Sequence, residues 1–347
     1  MPKAETQSGD RPTVREIASR SGVSVATVSR VLNGRPDVAP ATREAVLRHI
    51  RDGAYVTNRI AKALATGGRT GLIALTVPYI NAEYFMDILS GASQALYEND
   101  SRLVVCPTEH QHDREVSILE RVMHGTTDGA ILILPSESKL ELQRLRERNF
   151  PFVVIDPSTP LGEDIPVVSS NHFAGARTLT QHLTSLGHRR IGVITGWTYM
   201  TAAIDRLAGY NAALVDVGIP PQPDLVVEGD WNLESGYIAI QKLLQLENRP
   251  TAVFALNDQM AVGALRALSD AGVRVPEEIS VVGFDDTLIA SATSPGLTTV
   301  HQPLQEMGRI AVSVLYRMLD GQALEATRIE LSTRLVVRQS TAPPPVS

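Results

Sequence analysis

A single cysteine, Cys106, in a chain of 347 residues rules out an internal disulfide, and with aromatics at only 5% large rings are few. No apolar run reaches the roughly 18 residues that a membrane-crossing helix needs. The opening MPKAETQSGD is polar where an export signal requires an apolar stretch. A cytoplasmic protein with no membrane partner is expected. Also missing are GxGxxG, GxxxxGK, HExxH, GxSxG and any paired-cysteine motif, which are the commonest nucleotide, metalloprotease, serine-nucleophile and zinc signatures. His110 and His112 with Asp113 could hold a metal, but an HxHD cluster between a strand and a helix reads better as a solvated loop. No enzyme, metal or cofactor is expected, and Cys106, in an apolar strand-like run, reads as a buried reduced thiol.

Charge is present but unevenly placed. The chain carries 32 Lys and Arg against 38 Asp and Glu, a net −6. Residues 11–70 hold eleven basic residues against four acids, or +7, and residues 1–10 hold −1, which leaves −12 for everything from Gly71 onward. A basic end on an acidic body is the footprint of a protein that meets nucleic acid through that end alone.

Within the basic end, Thr13 to Asn33 reads TVREIASRSGVSVATVSRVLN, two short helices across a tight turn. Thr13 can cap the first helix with Glu16 completing a capping box, and Val14, Ile17 and Ala18 share one face. Gly22 stops that helix, Val23 staples the turn, and Ser24 can cap a second helix whose buried stripe is Val28, Val31 and Leu32. The exposed remainder is Val25, Ala26, Thr27, Ser29, Arg30 and Asn33, short side chains that would let a helix start sit deep in a major groove. The residues alone leave open an ordinary helical hairpin in which Arg30 and Asn33 face water. A third helix follows from Pro40 to Arg51, with Val46, Leu47 and Ile50 closing a small core.

These residues and the GAYVTNRIAKALATGGRTG stretch after them resemble the DNA-binding headpiece and hinge of the lactose repressor family of bacterial transcription regulators. The match rests on VSxxTVSRVLN (Val23–Asn33), TRE (Thr42–Glu44), and Tyr55, Asn58, Arg59, Ala61 and Leu64. Thr57 stands where the family usually has proline, and Ala39 where a serine commonly caps the third helix. The resemblance implies DNA contacts from Thr13, Ser24, Val25, Ala26, Thr27, Ser29, Arg30, Asn33, Thr42, Asn58, Ala61 and Leu64. It further implies a hinge helix that forms on DNA, with Leu64 wedged into the minor groove. The organisation expected is a disordered arm at 1–10, a headpiece at 11–57 and a hinge at 58–68.

From Gly71 the texture becomes a βαβ rhythm. Strand candidates are GLIALTV, RLVVCP, GAILILP, FVVIDP, PVVSSN, RIGVITG, DLVVEGD, AVFALND and SVVGFDD, with helical windows such as Tyr84–Asn99, Ala174–Leu186, Ile204–Val217 and Gln259–Ala271. Short apolar strands of this kind imply parallel sheets covered on both faces. They are too many for one unit, so two similar halves are expected, meeting near Ser169 and again near Thr298–Gln302. Polar residues collect at the carboxyl ends of these strands: Asp156, Ser170, Asn171, Asp230, Trp231, Asn257, Asp258, Asp285 and Asp286. In open parallel sheets the ligand crevice lies there, and hydrogen-bonding groups with an aromatic plate suit a polyhydroxylated small molecule. Strand termination and helix capping could also account for any one of these positions.

The resemblance continues to about Gln339 through LGHRRIGVITG, Arg206 with LAGY, EGDW, FALNDQMAVGALRAL, SVVGFDD and SPGLTTVHQP. It implies an α/β fold: a helix-turn-helix headpiece joined to a body like the periplasmic sugar-binding proteins, built of two doubly wound parallel-sheet subdomains. Their expected spans are 71–168 with 302–331, and 169–301 with 332–340, followed by a tail at 341–347. It implies ligand roles for Arg206, Asn257 and Asp285, and for Asp156 and Trp231. Tyr79, Tyr84, Phe85 and Ser170 complete the expected pocket, although AEYF (Ala82–Phe85) replaces the common NPFF and Ser170 replaces a common Asp. The function implied is a repressor bound to a pseudo-palindromic double-stranded DNA operator as a homodimer. A mono- or oligosaccharide inducer would release it, on the EGDW and NDQM stretches. A corepressor-dependent repressor and a cytoplasmic small-molecule-binding protein with no DNA role are the alternatives.

Overall fold

A computed structural model describes residues 13–32, 34–52, 68–136 and 139–345, in two compact units divided between Thr70 and Gly71. Asn33, Asn58, Ala61, Leu64, most of the expected hinge and the arm at 1–10 lie outside the described residues. Among the described residues the first unit has helices α1 (Val14–Ser21), α2 (Val25–Leu32) and α3 (Pro40–Asp52). Ile17, Ala18, Val28, Val31 and Val46 bury against one another, with Val38 from the loop before α3, so three short amphipathic stripes close a small core. Residue 39 carries no capping side chain. Pro40 opens α3 instead, its φ already fixed for a first helical turn.

The second unit carries twelve described strands. β1 (Leu72–Val77), β2 (Arg102–Pro107), β3 (Gly129–Ile133), β4 (Phe152–Ile155), β5 (Val167–Ser170) and β11 (Arg328–Leu331) form one sheet. Its order is β11–β5–β4–β3–β1–β2, and every pairing is parallel. β6 (Ile191–Thr195), β7 (Val226–Glu228), β8 (Ala252–Ala255) and β9 (Ser280–Val282) form a second parallel sheet ordered β7–β6–β8–β9. β10 (Thr299–His301) and β12 (Arg334–Val336) pair antiparallel beside it. β1, β3, β4, β6 and β8 are buried almost along their whole length, the pattern of strands sandwiched between helices.

Those helices are α4 (Glu83–Glu98), α5 (His112–Arg121), α6 (Lys139–Glu147), α7 (His172–Ser185), α8 (Thr201–Asp216), α9 (Leu233–Leu244), α10 (Asp258–Asp270), α11 (Leu288–Ala292) and α12 (Leu304–Leu319). The chain passes between the sheets near residues 171, 302 and 332, because β5 and β11 belong to one and β10 and β12 lie beside the other. α12 has no counterpart among the helical windows read from sequence. It lies along α4 in a seam so tight that a methyl group at Gly91 would collide with the Gln305 carbonyl, and one at Gly308 with that of Ile88.

The structure corrects the reading of Cys106. β2 is the edge strand of its sheet, so Val104 and Val105 are exposed and Cys106 is half-buried. The segment at residues 340–342 is also tied down. Ser340 is fully buried and receives the Val281 N–H at 2.9 Å, while the Ala342 carbonyl accepts from Ser280 Oγ at 3.1 Å.

Candidate functional site

Two constellations carry the chemistry, one in each unit. In the first, Thr13 Oγ1 accepts from the Glu16 N–H at 3.3 Å while Glu16 Oε2 accepts from the Thr13 N–H at 2.6 Å, a complete capping box. Gly22 adopts φ 65°, the left-handed turn that lets the chain reverse between α1 and α2. Ser24 Oγ then accepts from the Thr27 N–H at 3.1 Å and caps α2. Val25, Ala26, Ser29 and Arg30 are exposed on α2, Thr27 is half-buried beside them, and Thr42 is half-buried on α3. Short side chains at the start of α2, with a cation one turn further on, form the surface that a major groove accepts. Arg30 is not free: its Nη1 lies 3.1 Å from Asp37 Oδ2, an exposed pair of little stability that a base edge could replace. No periodicity in the sequence announces that pair.

In the second unit, loops at the carboxyl ends of both sheets' strands enclose a cleft of about 520 Å³, within the range of roughly 300–1,000 Å³ typical of small-molecule sites. Tyr79, Tyr84, Phe85, Asp156, Arg206, Trp231, Asn257 and Asp285 all line it. Ser170 does not. It sits on β5 facing α12, where its Oγ donates to Met307 Sδ at 3.2 Å. Asp156, Trp231 and Asp285 have φ of 44°, 74° and 120°, and His110 and Leu134 in the same lining have 54° and 46°. Non-glycine residues held at positive φ store strain, and here they turn side chains into the cleft.

Arg206, only 3% exposed, organises the floor. Its Nη1 lies 3.5 Å from Asp285 Oδ1 and also donates to the Leu256 carbonyl, while the guanidinium stacks 3.9 Å over the Phe284 ring. Nε donates to His172 Nδ1 at 3.4 Å, which leaves His172 Nε2 as the protonated nitrogen, 3.3 Å from Asp156 Oδ1. The Tyr84 hydroxyl donates to the other Asp156 oxygen. Gln302 Nε2 donates to Asp285 Oδ1 at 2.7 Å. Asn257 caps α10 through Oδ1 and donates through Nδ2 to the Trp231 carbonyl at 2.8 Å, so one amide hydrogen remains for a ligand. The buried Trp231 Nε1 finds no acceptor among the described residues.

Burial sets the protonation of this floor. It pushes the Asp285 carboxyl up against the pull of Arg206 and Gln302, to about 7. It pushes Asp258 up as well, with the charge of Asp285 adding to it. Burial raises Asp156 too, but the hydrogen bonds from His172 and Tyr84, with the charge of Arg206, hold it below the ordinary carboxylate value. One floor therefore offers an ionised acceptor and a carboxyl that can donate.

Sequence reading missed His172, which links Asp156 to Arg206, and Glu83, whose Oε2 accepts from the Ile289 N–H at 3.1 Å across the cleft. It missed Trp197, which also lines the cleft. The HxHD cluster divides: His110 faces the cleft, whereas His112 Nε2 pairs with Glu141 at 3.0 Å.

A helix-turn-helix unit, and a body whose two sheets aim their carboxyl ends at one polar cleft, define a transcription regulator under ligand control. Residues 13–58 match the family of bacterial regulatory proteins, lacI family, and residues 180–341 match the periplasmic binding protein-like domain. The chain is 38% identical over 341 residues to the HTH-type transcriptional regulator CelR of Thermobifida fusca, covering 95% of this chain and 98% of that one. It is 33% identical to the HTH-type transcriptional repressor PurR of Edwardsiella ictaluri, over 96% and 98%. Among solved structures, a CelR–cellobiose complex superposes with a TM-score of 0.73 at 36% identity, over 95% of this chain and all of that one. A lac repressor dimer bound to operator and an anti-inducer superposes at 0.85 and 30%, over 96% and all. The chain belongs to the lacI family of bacterial regulatory proteins.

Proposed function

We propose that this protein is a homodimeric repressor that holds a pseudo-palindromic operator through two headpieces and releases it when a saccharide occupies the cleft. The observation that carries the reading is the cleft floor. Arg206, Asp285, Asp156 and Asn257 converge there beside Trp231, a pairing of charged hydrogen-bonding groups with an aromatic plate that fits a polyhydroxylated ring. The CelR–cellobiose complex supports a sugar. The lac repressor dimer on operator supports two copies on one two-fold site, because one headpiece reads a half-site only. Binding and release involve no chemical step, so the protein acts as a switch in the cytoplasm with DNA and a small molecule as its partners. In this reading the contacts to DNA come from the exposed start of α2 with Thr13 and Thr42, and from Asn33, Asn58, Ala61 and Leu64.

The test is a fluorescence-anisotropy titration of a DNA site selected from a random pool, at fixed salt, with and without cellobiose. Wild type should lose affinity when the sugar is added. Arg30→Ala should lose about 1–3 kcal/mol of operator binding, the value of one base-reading Arg, and keep its sugar affinity. Tighter DNA binding with sugar would replace induction by corepression; indifference to every sugar would overturn the reading.

A further inference from the structure

Four aromatic rings form a row at the cleft: Tyr79, His110 and Trp197 line it, and Tyr199 stacks beside Trp197. Tyr79, after β1, meets His110 edge-on with centroids 5.6 Å apart, and His110 meets Trp197 edge-on at 5.4 Å. Trp197 and Tyr199 then lie with planes 9° apart at 6.2 Å. Tyr79 and His110 come from the loops of the first sheet, Trp197 and Tyr199 from the loop after β6 of the second, so the row is assembled from both halves. In a chain with two tryptophans, six phenylalanines and eight tyrosines this is a concentration, and Tyr199, at the outer end, is 63% exposed with no core to fill. The row contains no permanently charged side chain, and burial favours the neutral imidazole of His110.

Such a surface differs in kind from the floor. Flat rings with electron-rich faces attract the C–H face of a pyranose whose hydroxyls are equatorial, and offer nothing to a phosphate or a carboxylate. We infer that Trp197 and Tyr199, flanked by His110 and Tyr79, form an outer subsite for the second and later rings of a neutral oligosaccharide, the first ring being held by the Asp156, Arg206, Asn257 and Asp285 floor. The inference rests on the reading of the cleft as a saccharide site and specifies the length and chemistry of its ligand. Trp197 and Tyr199 act in it as specificity-determining residues.

Isothermal titration of the full-length protein with glucose, cellobiose and cellotriose tests it. Wild type should bind the two longer sugars more tightly than glucose. Tyr199→Ala should weaken cellobiose or cellotriose by roughly tenfold, as expected for one lost aromatic plate, and move glucose by less than about twofold. Trp197→Phe, which keeps a plate, should retain most of the affinity that Trp197→Ala loses. Equal weakening of all three sugars by Tyr199→Ala, or no weakening of the longer ones, would overturn the subsite while leaving the saccharide reading intact. A wild type that binds none of the three and none of a wider sugar panel would overturn both.

Discussion

The headpiece and the body solve opposite problems. The headpiece hides a small apolar core and leaves the start of α2 outside, with short side chains and one loosely paired arginine. The body does the reverse: it buries its polar groups, Asp156, His172, Arg206 and Asp285, beside parallel sheets whose apolar strands pack against the covering helices. An exposed site is inexpensive to keep and selective only on contact. A buried one must keep every charge partnered even when empty, and that requirement couples its ligand to the fold.

The contrast predicts where substitutions hurt. Arg206→Ala should have the largest effect, removing the guanidinium from the floor and leaving Asp285 and the His172–Asp156 pair in low dielectric. Chemical denaturation should register a loss of about 3–5 kcal/mol in the body. A loss below about 1 kcal/mol would mean that the floor is hydrated and behaves as a surface. Ile17→Ala should come next, at about 2–5 kcal/mol, confined to the headpiece. Amides of residues 14–52 should then exchange faster while the body's thermal transition stays where it was, and a shift of both together would show that the two units fold as one.

A third, smaller effect separates the two regions by the sign of a pH dependence. Asp285 keeps its proton in the folded body to about 7, against 3.8 for an unperturbed carboxyl. Between those values the folded state binds the proton that the unfolded chain has released, so this group's contribution to stability falls as pH rises and levels off above 7. Glu16 behaves oppositely: its hydrogen bonds from Thr13 hold its carboxyl below 4.5, so its contribution is present above that value and is lost as pH falls. Asp285→Asn should flatten the first slope and Glu16→Gln the second, measured as denaturant midpoints from pH 3 to 8. Matching slopes in both units before mutation would break the comparison.

Legibility in the sequence followed the same division. The capping box at Thr13 and Glu16, the turn at Gly22 and the cap at Ser24 are decided within a few residues, and each was readable where it stands. Strand-end polarity located Asp156, Trp231, Asn257 and Asp285, because a parallel sheet delivers all its carboxyl ends to one edge. Ser170 shared that position and failed: side chains alternate along a strand, and its hydroxyl faces Met307 rather than the cleft. His172 and Glu83 were illegible for another reason. Their roles depend on Arg206 and on Ile289, which lie 34 and 206 residues away, and no local pattern encodes such a meeting. The exposure of Cys106 was hidden likewise, since an edge strand and a central one look alike until the sheet order is known.

The glycine seam between α4 and α12 gives the cleft a mechanical property. α4 begins at Glu83, Tyr84 and Phe85, which line the cleft, and α12 begins just after Gln302, which holds Asp285 from the chain's second passage between the sheets. At Gly91 and Gly308 backbone rests on backbone, so at these two points there is no side chain to yield by changing rotamer. The seam is a bearing that admits no added bulk: a side chain at either glycine would push apart the helix that starts at Tyr84 and the helix that follows Gln302.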